Sequence, residues 1–224
     1  MRQLWVVVAL GGCATATTPD ETVDAPTGRP TGGIDAPRID APGTQIDAPT
    51  QCTMMTSNLL TNPAFEMTTT GWMETLIASQ AIVRADGPVA AHTPTLKAWM
   101  GGVLGDILGP PAVDALWQDV AIPASTTMLV ITGMYDVRTV ETSTGTAFDT
   151  GSLALVTTAN APIETVLALS NLTPKTTWTA INHPVVAAVA GMTIRLRMTS
   201  SNDFTAASSF YFDSLGLMAT FCGP

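Results

Sequence analysis

The chain has 224 residues, with 18 acidic side chains against 9 basic ones and a formal net charge of −9. Only 12% of its residues are charged while 46% are hydrophobic, the reverse of the balance in a disordered chain. Excess acid with no basic stripe excludes a nucleic-acid binder, because phosphate contact needs clustered Lys and Arg.

Met1-Arg2-Gln3 supplies one positive charge, and the apolar run Leu4 to Leu10 follows it. That run is far shorter than the roughly 20 residues of a membrane span. Gly11 and Gly12 then lead into Cys13. This order is that of a secretory signal peptide over residues 1–12. Leu10-Gly11-Gly12-Cys13 also resembles the lipobox of bacterial lipoproteins. The resemblance implies that Cys13 is the lipidated first residue of the mature protein. Ala14, a residue other than Asp after that Cys, implies an outer-membrane or cell-surface address.

Residues 13–51 read as a disordered tether. The tetrad Val23-Asp24-Ala25-Pro26 returns as Ile34-Asp35-Ala36-Pro37, Ile39-Asp40-Ala41-Pro42 and Ile46-Asp47-Ala48-Pro49 at irregular spacing. Each Pro fixes its own φ and pushes the preceding Ala toward extended geometry. The repeated Asp adds self-repulsion, so the segment reaches between about 35 Å as a coil and about 120 Å as polyproline II. A spacer and a docking motif both fit that composition.

With Cys13 lipidated, Cys52 and Cys222 remain, and an even pair in an exported protein reads as a disulfide; two buried free thiols are the alternative. The pair brackets 52–224, whose short apolar runs and regular turn residues have the rhythm of an all-β antiparallel sandwich. Met192 to Thr199 alternates, with Met192, Ile194, Leu196 and Met198 on one side and Arg195 and Arg197 on the other. Thr127 to Val137 and Ser152 to Thr158 read as more fully buried strands. Glu164 to Leu169, Thr176 to Ile181 and Ser209 to Thr220 complete the later set. Asn160-Ala161-Pro162, Thr173-Pro174, His183-Pro184 and Ser201-Asn202-Asp203 read as breakers. Val185 to Ala190 and Gly101 to Leu108 have room for one helical turn each.

Asn58-Leu59-Leu60-Thr61-Asn62-Pro63-Ala64-Phe65-Glu66, followed by Gly71-Trp72, resembles the opening of carbohydrate-binding-module-like, galactose-binding-like jelly rolls. Phe210 to Leu217 resembles their closing strand. The stretches around Trp99, Trp117 and Ile194 resemble the middle strands of a subgroup attached to secreted bacterial hydrolases. Ala64 stands where that family has Gly, and Ser214 where it has a second Asp. The resemblance implies a jelly roll with a structural calcium at Glu66 and Asp213. Asp213 shares a side of its strand with Tyr211, Leu215 and Leu217, so its carboxylate needs a partner: a hard cation, or backbone N–H groups.

No GxSxG, HExxH, paired CxxC, P-loop or GxGxxG is present, so the chain reads as non-catalytic. His92 and His183, each beside a proline, read as turn residues. Glu141 and Asp149 flank a Ser/Thr/Gly-rich stretch and read as a solvated loop, with a catalytic carboxylate pair as the alternative. Sugar binding needs an exposed aromatic face. Trp72, Trp99 and Trp117 fall on positions the fold itself uses, which assigns them to the core and leaves Trp178 and Tyr135 as ligand-binding candidates. The expected function is that of a surface-anchored, non-catalytic binding lipoprotein held to the membrane by its lipid, with a polysaccharide or envelope glycan as ligand. The alternative is adhesion or envelope assembly, in which the sandwich contacts another protein. A Trp178 exposed beside a groove favours the first reading; an exposed Val103 to Leu108 loop with every Trp buried favours the second.

Overall fold

The computed structural model describes residues 52–76, 80–105, 110–173 and 177–223. Cys13, the signal-peptide segment and the tether lie outside the described residues. The described residues form eleven strands: β1 Thr53–Asn58, β2 Met73–Thr75, β3 Val83–Arg84, β4 Lys97–Gly101, β5 Ala112–Ala121, β6 Thr126–Thr139, β7 Thr150–Thr157, β8 Pro162–Ser170, β9 Thr179–Pro184, β10 Thr193–Asn202 and β11 Ser208–Gly223. They form two antiparallel sheets. One runs β3-β4-β11-β6-β9 with β1 also on β11; the other runs β2-β5-β10-β7-β8. The architecture is an all-β sandwich of the jelly-roll kind, with the chain changing sheet at every connection except β3–β4 and β7–β8. Among the described residues no helix is long and apolar enough to cross a membrane.

The core lies between the sheets and follows the pleat. In β10, Ile194, Leu196 and Met198 are fully buried, as the alternation requires, while Met192 stands before the strand and is exposed. Leu153 and Leu155 of β7 and Leu129, Ile131 and Val137 of β6 face them. Both strands alternate, with one face only partly covered, rather than being buried throughout. Each such side chain contributes about 2 kcal/mol by leaving water. Asn160 ends β7 with a left-handed φ of 65°, closed by hydrogen bonds between Thr157 and residues 160 and 161. Asn tolerates that conformation better than most residues.

β11 departs from simple alternation. Its pairing with β6 slips between Asp213 and Gly216, and Ser214 sits at φ 51°. Two residues there oppose one, which is a β-bulge. Phe210 and Phe212 face the core before it, and Leu215, Leu217 and Ala219 after it. Tyr211 and Asp213 therefore lie on the face opposite Leu215 and Leu217, not beside them as an unbroken alternation requires. Gly133 lies opposite the bulge, where an added Cβ would come within 2.7 Å of the Leu215 side chain.

Two further expectations change. Val185–Ala190 forms no helical turn. His183 and Pro184 close β9 instead of breaking it. His183 Nε2 meets Glu164 Oε1 of the opposite sheet at 2.6 Å. Glu164 also accepts the N–H groups of Val186 and Ala187, at 3.0 and 2.8 Å. Partial burial pushes Glu164 up, but the hydrogen bonds from His183, Ala187 and Val186 outweigh it and hold the carboxyl below its ordinary 4.5.

Cys52 and Cys222 are disulfide-bonded with their Cα atoms 5.5 Å apart. β1 is an exposed edge strand whose Met54 pairs with Cys222, so the bond fastens an edge that buries little apolar surface itself. Closing a loop of sequence separation 170 is worth about 5 kcal/mol in the chain-entropy limit. Replacing both cysteines by Ser is expected to lower the unfolding free energy by up to that amount, read from the urea midpoint. Glu164 has a depressed folded pKa, so its stabilisation is present above the ordinary value of 4.5 and is lost as pH falls through and below it. A melting-temperature series in acid should show that loss, and Glu164→Gln should flatten it.

Candidate functional site

The outer face of the six-stranded sheet carries the side chains that the core rejects. β11 contributes Ser209, Tyr211 and Asp213, β4 contributes Lys97 and Trp99, and β6 contributes Asp136 and Arg138. The connection between β3 and β4, residues 85–96, folds across this face and is tied down along its length. Lys97 Nζ donates to the carbonyls of Ala85 and Asp86 at 3.1 and 2.7 Å. Trp178 Nε1 donates to the Ala90 carbonyl at 3.1 Å. Asp213 holds residues 92 and 93: the N–H groups of His92 and Thr93 reach Oδ2 at 2.8 and 2.9 Å, and the Thr93 hydroxyl reaches Oδ1 at 2.8 Å. The Ser214 N–H adds a fourth donor to Oδ1. Glu66 Oε1 accepts the N–H groups of Thr95 and Leu96 at 3.2 and 3.1 Å.

Those contacts test the calcium expectation against chemistry. Around Asp213 and Glu66 stand hydrogen-bond donors, and Asp213 has one for each of its four lone-pair positions. A cation needs oxygens in those places. As placed, the two carboxylates do not fit calcium; they fit amide and hydroxyl hydrogens of the loop. The Leu96 and Thr95 N–H groups hold Glu66 below its ordinary range.

Aromatic and charged groups lie beside the loop. Trp99 and Trp117 are half-buried on outer faces and only Trp72 is in the core, so the core assignment holds for one of the three. The reason is a cationic partner: the Arg84 guanidinium lies 3.7 Å over the Trp99 ring, and Arg195 lies 5.1 Å over Trp117. Trp99 also packs on Tyr211 at 5.6 Å and donates to Ser209 Oγ. Burial pushes the Tyr211 phenol up and the Lys97 ammonium down.

Two recesses meet under the loop at Pro88, Val89 and Arg138. One, of about 340 Å³, runs past Asp136 to Thr177 and Trp178. The other, of about 280 Å³, runs past Thr139 and Val140 to Ser209 and Tyr211. Arg138 stands at the divide, 40% exposed, with Nε and Nη2 on the two oxygens of buried Asp136 at 2.6 and 2.8 Å. Trp178 is half-buried at the edge, its ring edge-on to His92 at 6.0 Å.

Of the two ligand-binding candidates, the structure brings Trp178 to this groove. Tyr135 takes the opposite face of β6 from Asp136 and packs against the core. Sequence reading missed Asp136 and Arg138, although their i, i+2 spacing in a strand is the available signal. It also misplaced Asp149, which is fully buried instead of solvated, while Glu141 caps residues 205 and 206 from the surface. Leu104 is exposed; residues 106–109 of the apolar loop lie outside the described residues.

No protein-family model matches the chain, and no curated protein matches it. Solved structures do. A family 61 carbohydrate-binding module in complex with β-1,4-galactotriose is 12% identical at a TM-score of 0.45, over 75% of this chain and 99% of that one. A family 16 carbohydrate-binding module is 22% identical at 0.40, over 71% and 99%. The K1 cleaved adhesin domain of Lys-gingipain from Porphyromonas gingivalis is 13% identical at 0.41, over 77% and 99%. At these scores the likeness carries no function across to this chain.

Asp213→Asn keeps one acceptor and sets an amide N–H₂ against loop donors. It is expected to cost about 3 kcal/mol in urea unfolding, since charge-assisted acceptors are lost and buried donors left unmet. The loss relative to wild type should be equal in chelator and in calcium, which separates a loop anchor from a metal ligand.

Proposed function

We propose that this chain is a non-catalytic glycan-binding lipoprotein displayed at the bacterial cell envelope, with the groove on the outer face of the six-stranded sheet as its binding site. The observation that carries this reading is the setting of Trp178. Its indole N–H is already spent on the Ala90 carbonyl, so what the ring has left to offer a ligand is its apolar surface. That surface borders a recess of about 340 Å³ whose inner wall holds the Asp136–Arg138 pair. An aromatic plane for the C–H face of a sugar, next to a fixed polar pair for its hydroxyls, is the combination that sugar recognition uses.

Lipidation at Cys13 and the tether through residue 51 belong to the same reading. The lipid holds the chain to the membrane, and the extended Asp-Ala-Pro repeats give the sandwich reach from that surface.

The experiment is a glycan array probed with the purified chain, followed by titration of the best ligand. Trp178→Ala is expected to weaken binding at least tenfold, with a small fall in melting temperature from the lost Ala90 hydrogen bond. Arg138→Ala is expected to weaken binding as well, at some cost in stability because it leaves Asp136 buried and unpaired. Silence across the array, or full binding by both variants, would turn the assignment to a protein-contacting sandwich.

A further inference from the structure

At the end of the sandwich where β10 finishes, the apolar inner face turns polar. The inward series Ile194, Leu196, Met198 continues as Ser200 and Asn202. Ser200 pairs across the sheet with Asp114 of β5 on one side and Gly151 of β7 on the other. Gly151 faces inward, since an added Cβ would come within 2.6 Å of the Phe210 ring. Asp149 precedes β7, and its side chain is brought to the end of β10 by the Asp203 N–H. Two carboxylates, an amide and a hydroxyl thus share one interior patch, at 5% exposure for Asp114, 1% for Ser200 and 0% for Asp149 and Asn202.

The available donors are already spent. Asn202 Nδ2 donates to the carbonyls of Ser208 and Val103 at 2.7 and 3.2 Å, which identifies the other amide atom as oxygen. The Gly101 N–H goes to Asp114 Oδ2 at 2.8 Å, and the Asp203 N–H to Asp149 Oδ1 at 2.9 Å. Asp149 Oδ2, Asn202 Oδ1 and Ser200 Oγ are buried and meet no hydrogen-bond partner among the described residues. The contrast with Asp213 is chemical: there a donor meets each lone pair of the carboxylate, whereas Asp149 Oδ2 has no hydrogen-bond partner among the described residues.

We propose that this cluster binds one calcium ion through Asp149 Oδ2, Asn202 Oδ1 and Ser200 Oγ, with Asp114 as the second carboxylate. Buried oxygens without a partner, one of them on a carboxylate, are costly, and a positive charge between them offsets that cost. Calcium accepts six to eight mixed carboxylate, carbonyl and hydroxyl oxygens in irregular geometry, whereas magnesium demands a near-regular octahedron. Among the described residues no set of three or more His, Cys, Asp or Glu side chains is placed to hold a metal, and the ligands here, two carboxylates with an amide oxygen and a hydroxyl, are all oxygens, which disfavours zinc. The ion would fasten the β6–β7 and β10–β11 connections, which also bring Val140 and Ala207 to the groove. The site stands whether or not the groove binds a glycan.

The test uses the full chain, stripped with chelator and passed through gel filtration. Calcium is expected to raise the melting temperature by several degrees where magnesium does not, with about one calcium retained per chain by elemental analysis. Asp149→Asn should abolish both effects. Asp213→Asn should start lower and respond fully. Should Asp149→Asn fail to fold, Ser200→Ala serves: it removes one ligand oxygen, and should weaken calcium affinity about tenfold without lowering stability in chelator. The proposal is overturned if the wild type neither gains stability nor retains calcium, or if the response survives Asp149→Asn and Ser200→Ala but vanishes in Asp213→Asn. Greater stability of Asp149→Asn than wild type in the presence of calcium also overturns it, since a proton or a water then serves that oxygen.

Discussion

The β-bulge at Ser214 decides which side chains of the last strand meet the core and which meet the outer loop. β11 pairs with β1, β4 and β6, so it touches more of the six-stranded sheet than any neighbour does. Without the slip, one face of the strand would have to carry Tyr211 and Asp213 together with Leu215 and Leu217. With it, Phe210, Phe212, Leu215 and Leu217 all point inward, and Tyr211 and Asp213 point out. The Leu215 N–H donates to the Pro63 carbonyl, so the extra residue is held by the opening segment of the domain.

That outward turn gives the 85–96 connection something to fasten to. Asp213 of β11, Lys97 of β4 and Trp178 just before β9 each hold a different part of the loop. A buried carboxylate met by four donors is a satisfied acceptor, and it aligns the loop backbone instead of attracting a cation. The loop in turn roofs the two recesses that meet at Arg138. The groove is thus a product of sheet, bulge and loop together, with the Asp136–Arg138 pair giving it a polar wall.

The opposite chemical situation arises at the end of β10, where the strand continues its alternation past the apolar core. Ser200 and Asn202 stay inward because the pleat leaves them no choice. Their oxygens then share the interior with Asp149 and Asp114, where polar atoms are costly unless paired. One fold therefore contains a carboxylate that donors saturate and another whose second oxygen has no hydrogen-bond partner among the described residues.

Much of this was readable from the chain alone. Alternation placed Ile194, Leu196 and Met198 in the core, turn residues marked Asn160, and the pairing of Cys52 with Cys222 followed from the setting of the cysteines; each rests on local periodicity or on counting. Trp178 was singled out as an aromatic in a polar-flanked strand, and it lies at the groove. What the chain alone did not show depends on register and on neighbours distant in sequence. A one-residue slip at Ser214 reverses every later side chain, and no local pattern announces it. Arg84 reaches Trp99 only once β3 pairs with β4, and His183 reaches Glu164 only once the sheets are stacked. Asp149 reads as a loop acid until the fold buries it beside Asn202. Periodicity thus determined the strands and most of the core, because each depends on residues a few positions apart. The groove and the buried oxygens were decided by tertiary structure, because their parts come from strands that meet only through the jelly-roll crossovers.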